Sequence, residues 1–158
     1  MKLKLLLPNK FKRVGWVLLT PSMIAGMYLL ITGFEGRFLK APVFAIAYDE
    51  ILENDRFFKI VETDISNTAI GVFFIIGALL VGFSKEKNED EFIAEMRLNA
   101  LLWAVLLNYS LLLFAFVFIY GSFFLNVMIY NMFTVLIIFI GRFNYLLYRN
   151  NQSLTDEK

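Results

Sequence analysis

Residues 98–141 read LNALLWAVLLNYSLLLFAFVFIYGSFFLNVMIYNMFTVLIIFIG, 44 positions without a charged side chain. A charge at the centre of a bilayer costs at least about 2.5–3.5 kcal/mol on insertion scales, so an uncharged run of this length belongs in lipid. As a helix it would measure roughly 66 Å, about twice the hydrocarbon core, so it must turn back on itself. Near its midpoint stands Tyr120-Gly121-Ser122. Gly readily takes the left-handed conformation that ends a helix, and Tyr suits the membrane–water interface. The run is therefore predicted to form two spans, about 98–120 and 122–147, joined by a tight helical hairpin.

Two shorter uncharged runs lie upstream. Val14–Phe34 is bounded by Arg13 and Glu35, and Ile65–Ser84 by Asp64 and Lys85. Each matches one bilayer core, giving spans at about 14–34 and 65–84. The first is too long for a typical signal-peptide core, and charged residues separate it from the cleavage-like triplet Ala45-Ile46-Ala47. Pro21 is expected to kink this span, with the Ser22 hydroxyl taking up a freed backbone group. The expected fold class is an all-α membrane protein: four transmembrane helices in one domain over 14–149, a basic tail at 1–13 and a disordered polar tail at 150–158. Composition agrees, with 59% hydrophobic residues against 18% charged and a mean hydropathy of +0.65.

Orientation follows from Lys and Arg. The segments 1–13, 85–97 and 142–158 hold 11 of the 15 basic residues, whereas the loop 35–64 has four basic residues against seven acidic ones. The positive-inside rule then puts both termini in the cytoplasm and the loop outside. Trp16, Trp103, Tyr145 and Tyr148 fall on the cytoplasmic side as an interfacial belt. The outer loop mixes Phe44, Ile46, Ile51, Leu52, Phe57, Phe58, Ile60 and Val61 with its acids, in neither a 3.6 nor a 2.0 period. A short amphipathic helix on the membrane surface is the first expectation and a small hairpin the second. Thr63 or Asp64 is placed to cap the second span.

The connection Ser84–Arg97 is expected to be helical over about 86–97 and to run straight into the third span, with Lys85/Glu89 and Lys87/Glu91 as i,i+4 pairs. Its rim comprises Asp90, Glu91, Glu95 and Arg97, joined by Arg142 from the far end of the fourth span. Hairpin depth places Arg142 beside Asn99 and within reach of Glu95, so a pair between Arg142 and Glu95 is expected. The bland reading of this rim is a solvated face; the sharper one is a docking surface for a cytoplasmic protein.

Helices in lipid associate through small residues and interhelical hydrogen bonds. Ser22 and Gly26, Ala78 and Gly82, and Ala100 and Ala104 are spaced four apart and mark the expected contacts. Asn108 continues the last stripe to mid-bilayer, level with Thr134 and within reach of Asn131. These three are expected to form one polar cluster, either as interhelical glue or as a ligand or ion contact.

With no His and no Cys, the chain has no imidazole or thiolate for zinc, copper, haem or iron–sulfur clusters, and no cofactor is expected. No acidic or basic side chain lies within a span core, which argues against a proton-coupled pump. No phosphate loop or nucleophile elbow is present, and nothing outside the spans suits a nucleic acid. A non-enzymatic protein is expected.

The segments KEKNEDEFIAEMRLNALLWA, FLNVMIYNMF and RFNYLLYR within 84–149, with Gly15-Trp16-Val17-Leu18, resemble an uncharacterised group of small four-span inner-membrane proteins of Bacteroidota. More distantly, Asp90-Glu91 ahead of Ile93 and Ala100 is similar to the entry of a transmembrane pair in small membrane proteins encoded beside short helix-turn-helix regulators, with Phe92 where that pattern has Arg. The resemblance implies a bacterial inner membrane and the four-span topology. The expected function is a membrane accessory or signalling component with a cytoplasmic protein partner; the alternative is a homo-oligomeric transporter or channel subunit.

Overall fold

The computed structural model describes residues 6–32, 40–50 and 53–156. Its elements, in chain order, are α1 (Lys10–Thr32), β1 (Lys40–Glu50), β2 (Glu53–Asp64), α2 (Ser66–Phe83), α3 (Glu91–Phe118) and α4 (Ser122–Asp156). Among the described residues three stretches are long and apolar enough to cross a membrane: Ser66–Phe83, Glu91–Phe118 and Phe123–Asn150. This is the make-up of a helical, multi-pass membrane protein. Two compact units are distinguished, Met1–Leu19 with Ile75–Lys158, and Thr20–Phe74.

In the first unit α4 buries Phe139 and Phe143 fully, but the face that α3 buries is the opposite of a water-soluble core. On α3 the buried positions are Arg97, Ala100, Ala104, Asn108 and Ala115, while Leu102, Leu106, Leu113, Phe114 and Phe116 are exposed. Large apolar side chains gain nothing by leaving lipid, so the buried face goes to small residues that let helices approach and to polar groups that bond across them. The closest approaches occur at glycines. A Cβ on Gly77 would lie 2.7 Å from the Leu19 backbone nitrogen, and one on Gly15 would lie 2.8 Å from the Val81 nitrogen, so α1 and α2 meet backbone to backbone. Gly82 receives the ring of Phe139 from α4, whose Cε1 would stand 2.5 Å from an added Cβ. Of the small-residue pairs expected at contacts, Ala78, Ala100 and Ala104 are fully buried. Gly26 is a correction: an added Cβ there meets nothing within 4 Å.

α3 and α4 pack side by side. Between them Gly121 adopts φ +71°, the left-handed conformation, and α4 begins at the next residue. Phe116 and Phe124 meet edge to face across this connection, their centroids 5.2 Å apart. The helix expected from about 86 instead starts at Glu91, because Asp90 takes the N-cap position and its carboxylate accepts a 2.8 Å hydrogen bond from the Ile93 N–H. The disordered tail expected from 150 is likewise replaced by helix, which runs on to Asp156. Gln152 donates to the Tyr148 hydroxyl at 2.8 Å one turn earlier, a side-chain tie along the extended helix.

In the second unit the expectation of a surface helix between α1 and α2 is overturned. β1 and β2 form a two-stranded antiparallel sheet in the register Lys40↔Asp64, Val43↔Val61 and Ala47↔Phe57, with an irregularity between Tyr48 and Glu50. Aromatic and β-branched residues favour extended backbone, and Pro42 near the start of β1 is tolerated because both strands are edges. Phe44 and Ile60, cross-strand partners, are both exposed. Among the described residues no second sheet forces one face to be apolar, so the period of two is weak. Asp64 supplies the start of α2, its carboxylate accepting from the Ser66 N–H at 2.8 Å. Ile51 and Leu52 lie outside the described residues.

Candidate functional site

A helix ends with carbonyls that have no intrahelical partner, and at the end of α2 the partners come from three separate places. The Phe83 carbonyl accepts from the Leu7 N–H at 2.9 Å, and the Lys85 N–H donates to the Leu7 carbonyl at 2.8 Å, a short parallel bridge. The Ser84 carbonyl accepts from the Arg97 guanidinium at 3.2 Å. The Lys85 carbonyl accepts from the Asn9 side-chain amide at 2.7 Å. The segment before α1, the end of α2 and the first turns of α3 are thereby laced into one charged end of the first unit.

Arg97 is the centre of that end. Its side chain is 4% exposed, and its two terminal nitrogens donate to the two carboxylate oxygens of Glu89 at 2.7 and 3.0 Å. Such fork-to-fork pairing is the arrangement that tolerates burial, since each charge has its partner and its geometry fixed. The Phe143 ring, from α4, packs under the guanidinium at 4.8 Å. Glu89 also accepts from the Glu86 N–H at 2.7 Å, so one carboxylate fixes the turn and the helix that follows it. Lys12 of α1 pairs with Glu86, adding a link to the same turn.

These contacts redistribute the residues that the sequence assigned to the rim. Asp90 caps α3, whereas Glu91 and Glu95 are exposed on its first turns with Phe92 between them, itself 56% exposed. Arg97 is not a surface residue but an internal anchor. Glu89, expected to pair with Lys85 along a helix, pairs with Arg97 instead because residues 85–90 are not helical. The expected pair between Arg142 and Glu95 is not formed. Arg142 lies over the Trp103 ring at 4.7 Å, and its Nε is buried with no hydrogen-bond partner. A flat guanidinium on an indole face is a favourable alternative to pairing with a hydrated carboxylate.

The second group of interest lies deeper. The Asn108 amide nitrogen donates to the Asn131 side-chain oxygen at 3.1 Å, joining α3 to α4. Thr134 stands apart from this bond: its hydroxyl donates to the Tyr130 carbonyl of its own helix at 2.8 Å. The Asn108 oxygen is buried without a partner. Three features escaped sequence reasoning: the Glu89 hub, the Leu7 bridge and the Gly77 approach. Only the last had a signal, a small residue directly beside Ala78.

Among the described residues no group of His, Cys, Asp or Glu side chains is arranged to hold a metal ion. Comparison with protein families, curated proteins and solved structures finds no match to this chain.

Proposed function

We propose that this chain is a non-enzymatic accessory or signalling component of a bacterial inner membrane, with four spans, both termini in the cytoplasm and a docking rim on the cytoplasmic side. In this reading α1 is the fourth span, and α3 and α4 form a transmembrane hairpin about Gly121. The observation that carries it is the braced turn 84–90. Glu89, Arg97, Leu7 and Lys12 hold it still, and beyond it Glu91, Phe92 and Glu95 stand exposed on the first turns of α3. An acidic face with one exposed aromatic, presented on a rigid element, suits a soluble partner that reads charge and fills one apolar pocket. The resemblance to small four-span inner-membrane proteins supports the same topology.

The test is a photoreactive amino acid at Phe92 or Glu95 in the membranes of the native host. One soluble partner captured at both positions, and lost on Glu91→Ala/Glu95→Ala, is the expected result. Capture of lipid or of the chain itself alone contradicts the proposal. The unpartnered Asn108 oxygen favours one second reading, a homo-oligomeric transporter or channel subunit. Solute flux in liposomes that hold only this protein, lost on Asn108→Leu, would support it.

A further inference from the structure

A cavity of about 410 Å³ opens at the charged end of the first unit, lined by Asn9, Lys12, Arg13, Trp16, Glu86, Lys87, Asn88, Ile93 and Leu147. Its charge balance is uneven. Lys12 is matched by Glu86, while Arg13 and Lys87 form no ion pair with any described residue, although both line the same space. Among the described residues the cavity therefore holds two cations with no ion-pair partner, and the Asn88 side chain adds a polar group with no described partner. Trp16, Ile93 and Leu147 give the remaining wall an apolar character.

We infer that this cavity binds the phosphate headgroup of an anionic phospholipid. The chemistry a lipid headgroup shares with free phosphate is the anionic phosphate group, which two cations and an amide would hold. A membrane lipid is its source because the wall is amphipathic. Trp16 stands one helical turn beyond Arg13, and the next residue of α1, Val17, is 72% exposed, so the headgroup site leads directly onto apolar helix surface. An indole at that level is the usual marker of the headgroup region, and juxtamembrane cations attract anionic lipid. A free phosphate would have no use for the apolar wall. The inference needs only that the apolar helices lie in a bilayer, and it holds whether or not a soluble partner docks at Glu91 and Glu95.

The full chain in dodecyl maltoside micelles is given phosphatidylglycerol, phosphatidylcholine or inorganic phosphate, and the bound species are counted by native mass spectrometry. Phosphatidylglycerol should be retained over phosphatidylcholine. Arg13→Gln/Lys87→Gln should lower its retention by about 30-fold with phosphatidylcholine unchanged. Lys85→Gln/Arg149→Gln removes the same charge outside the cavity and should alter retention by no more than about twofold. Ile93→Trp keeps both cations but narrows the apolar side of the space, and should weaken the preference even if the cation variant fails to fold. Equal retention of the two lipids overturns the proposal. So does an equal loss in the control variant, or inorganic phosphate binding alone and displacing the lipid.

Discussion

Arg97 and Glu89 are eight residues apart and share two hydrogen bonds, of 2.7 and 3.0 Å, with the arginine side chain almost wholly buried. A continuous helix would hold these residues two turns apart; the capped start at Asp90 lets the preceding turn fold back so that the carboxylate meets the guanidinium. Removing either partner leaves a buried charge. Arg97→Met and Glu89→Gln should each destabilise the protein by about 3–5 kcal/mol, and the double variant by less than the sum. Unfolding in mixed micelles of increasing denaturing detergent reads all three.

Glycine should matter where a neighbour packs against it or where φ is positive, and little where its surroundings are open. Gly77→Ala puts a methyl group against the Leu19 backbone nitrogen, which can yield only if α1 moves, so a loss of roughly 1–3 kcal/mol is expected. Gly26→Ala meets open space and should be neutral or stabilising by up to about 1 kcal/mol through helix propensity. The same unfolding measurement separates them.

Asn108 and Asn131 should be coupled. Asn108→Leu and Asn131→Leu each remove the one hydrogen bond between them, so a double-mutant cycle should give a coupling of about 0.6–2 kcal/mol. Thr134→Val should show none with Asn108, since its hydroxyl is satisfied within α4. A coupling for Thr134 as large as that for Asn131 would place the helices in a different register.

Exposed acids should be silent in stability. Glu95 makes no hydrogen bond or ion pair with a described residue, so Glu95→Ala should stay within about 0.5 kcal/mol of the parent while altering partner capture.

How far these features can be read from sequence varies with the kind of signal. The uncharged run 98–141 and Gly121 anticipate α3, α4 and the left-handed turn between them because lipid insertion and glycine backbone freedom act locally. The same depth arithmetic brought Asn108 near Asn131, though it set Thr134 level with Asn108 when the hydrogen bond goes one turn nearer the connection. The burial of Arg97 is not legible because a charged residue at the edge of a span looks alike whether it faces water or a carboxylate folded back from a non-helical turn. The hairpin between α1 and α2 ranks only second to a surface helix in the sequence because a two-stranded sheet with exposed Phe44 and Ile60 has no buried face to impose alternation. Spacing in the sequence favours Gly26 as a contact, but the close helix approach falls at Gly77.

The proposed topology has the turn 84–90 and residues 40–64 on opposite sides of the membrane, with α1 and α2 each crossing it once. The chain has no Cys, so a single introduced thiol reports one position. Asn88→Cys and Glu62→Cys, both at exposed sites, should be treated with a membrane-impermeant maleimide in right-side-out and inverted inner-membrane vesicles. The account predicts that Asn88→Cys labels only in inverted vesicles and Glu62→Cys only in right-side-out ones. Labelling of both positions from the same side would contradict it.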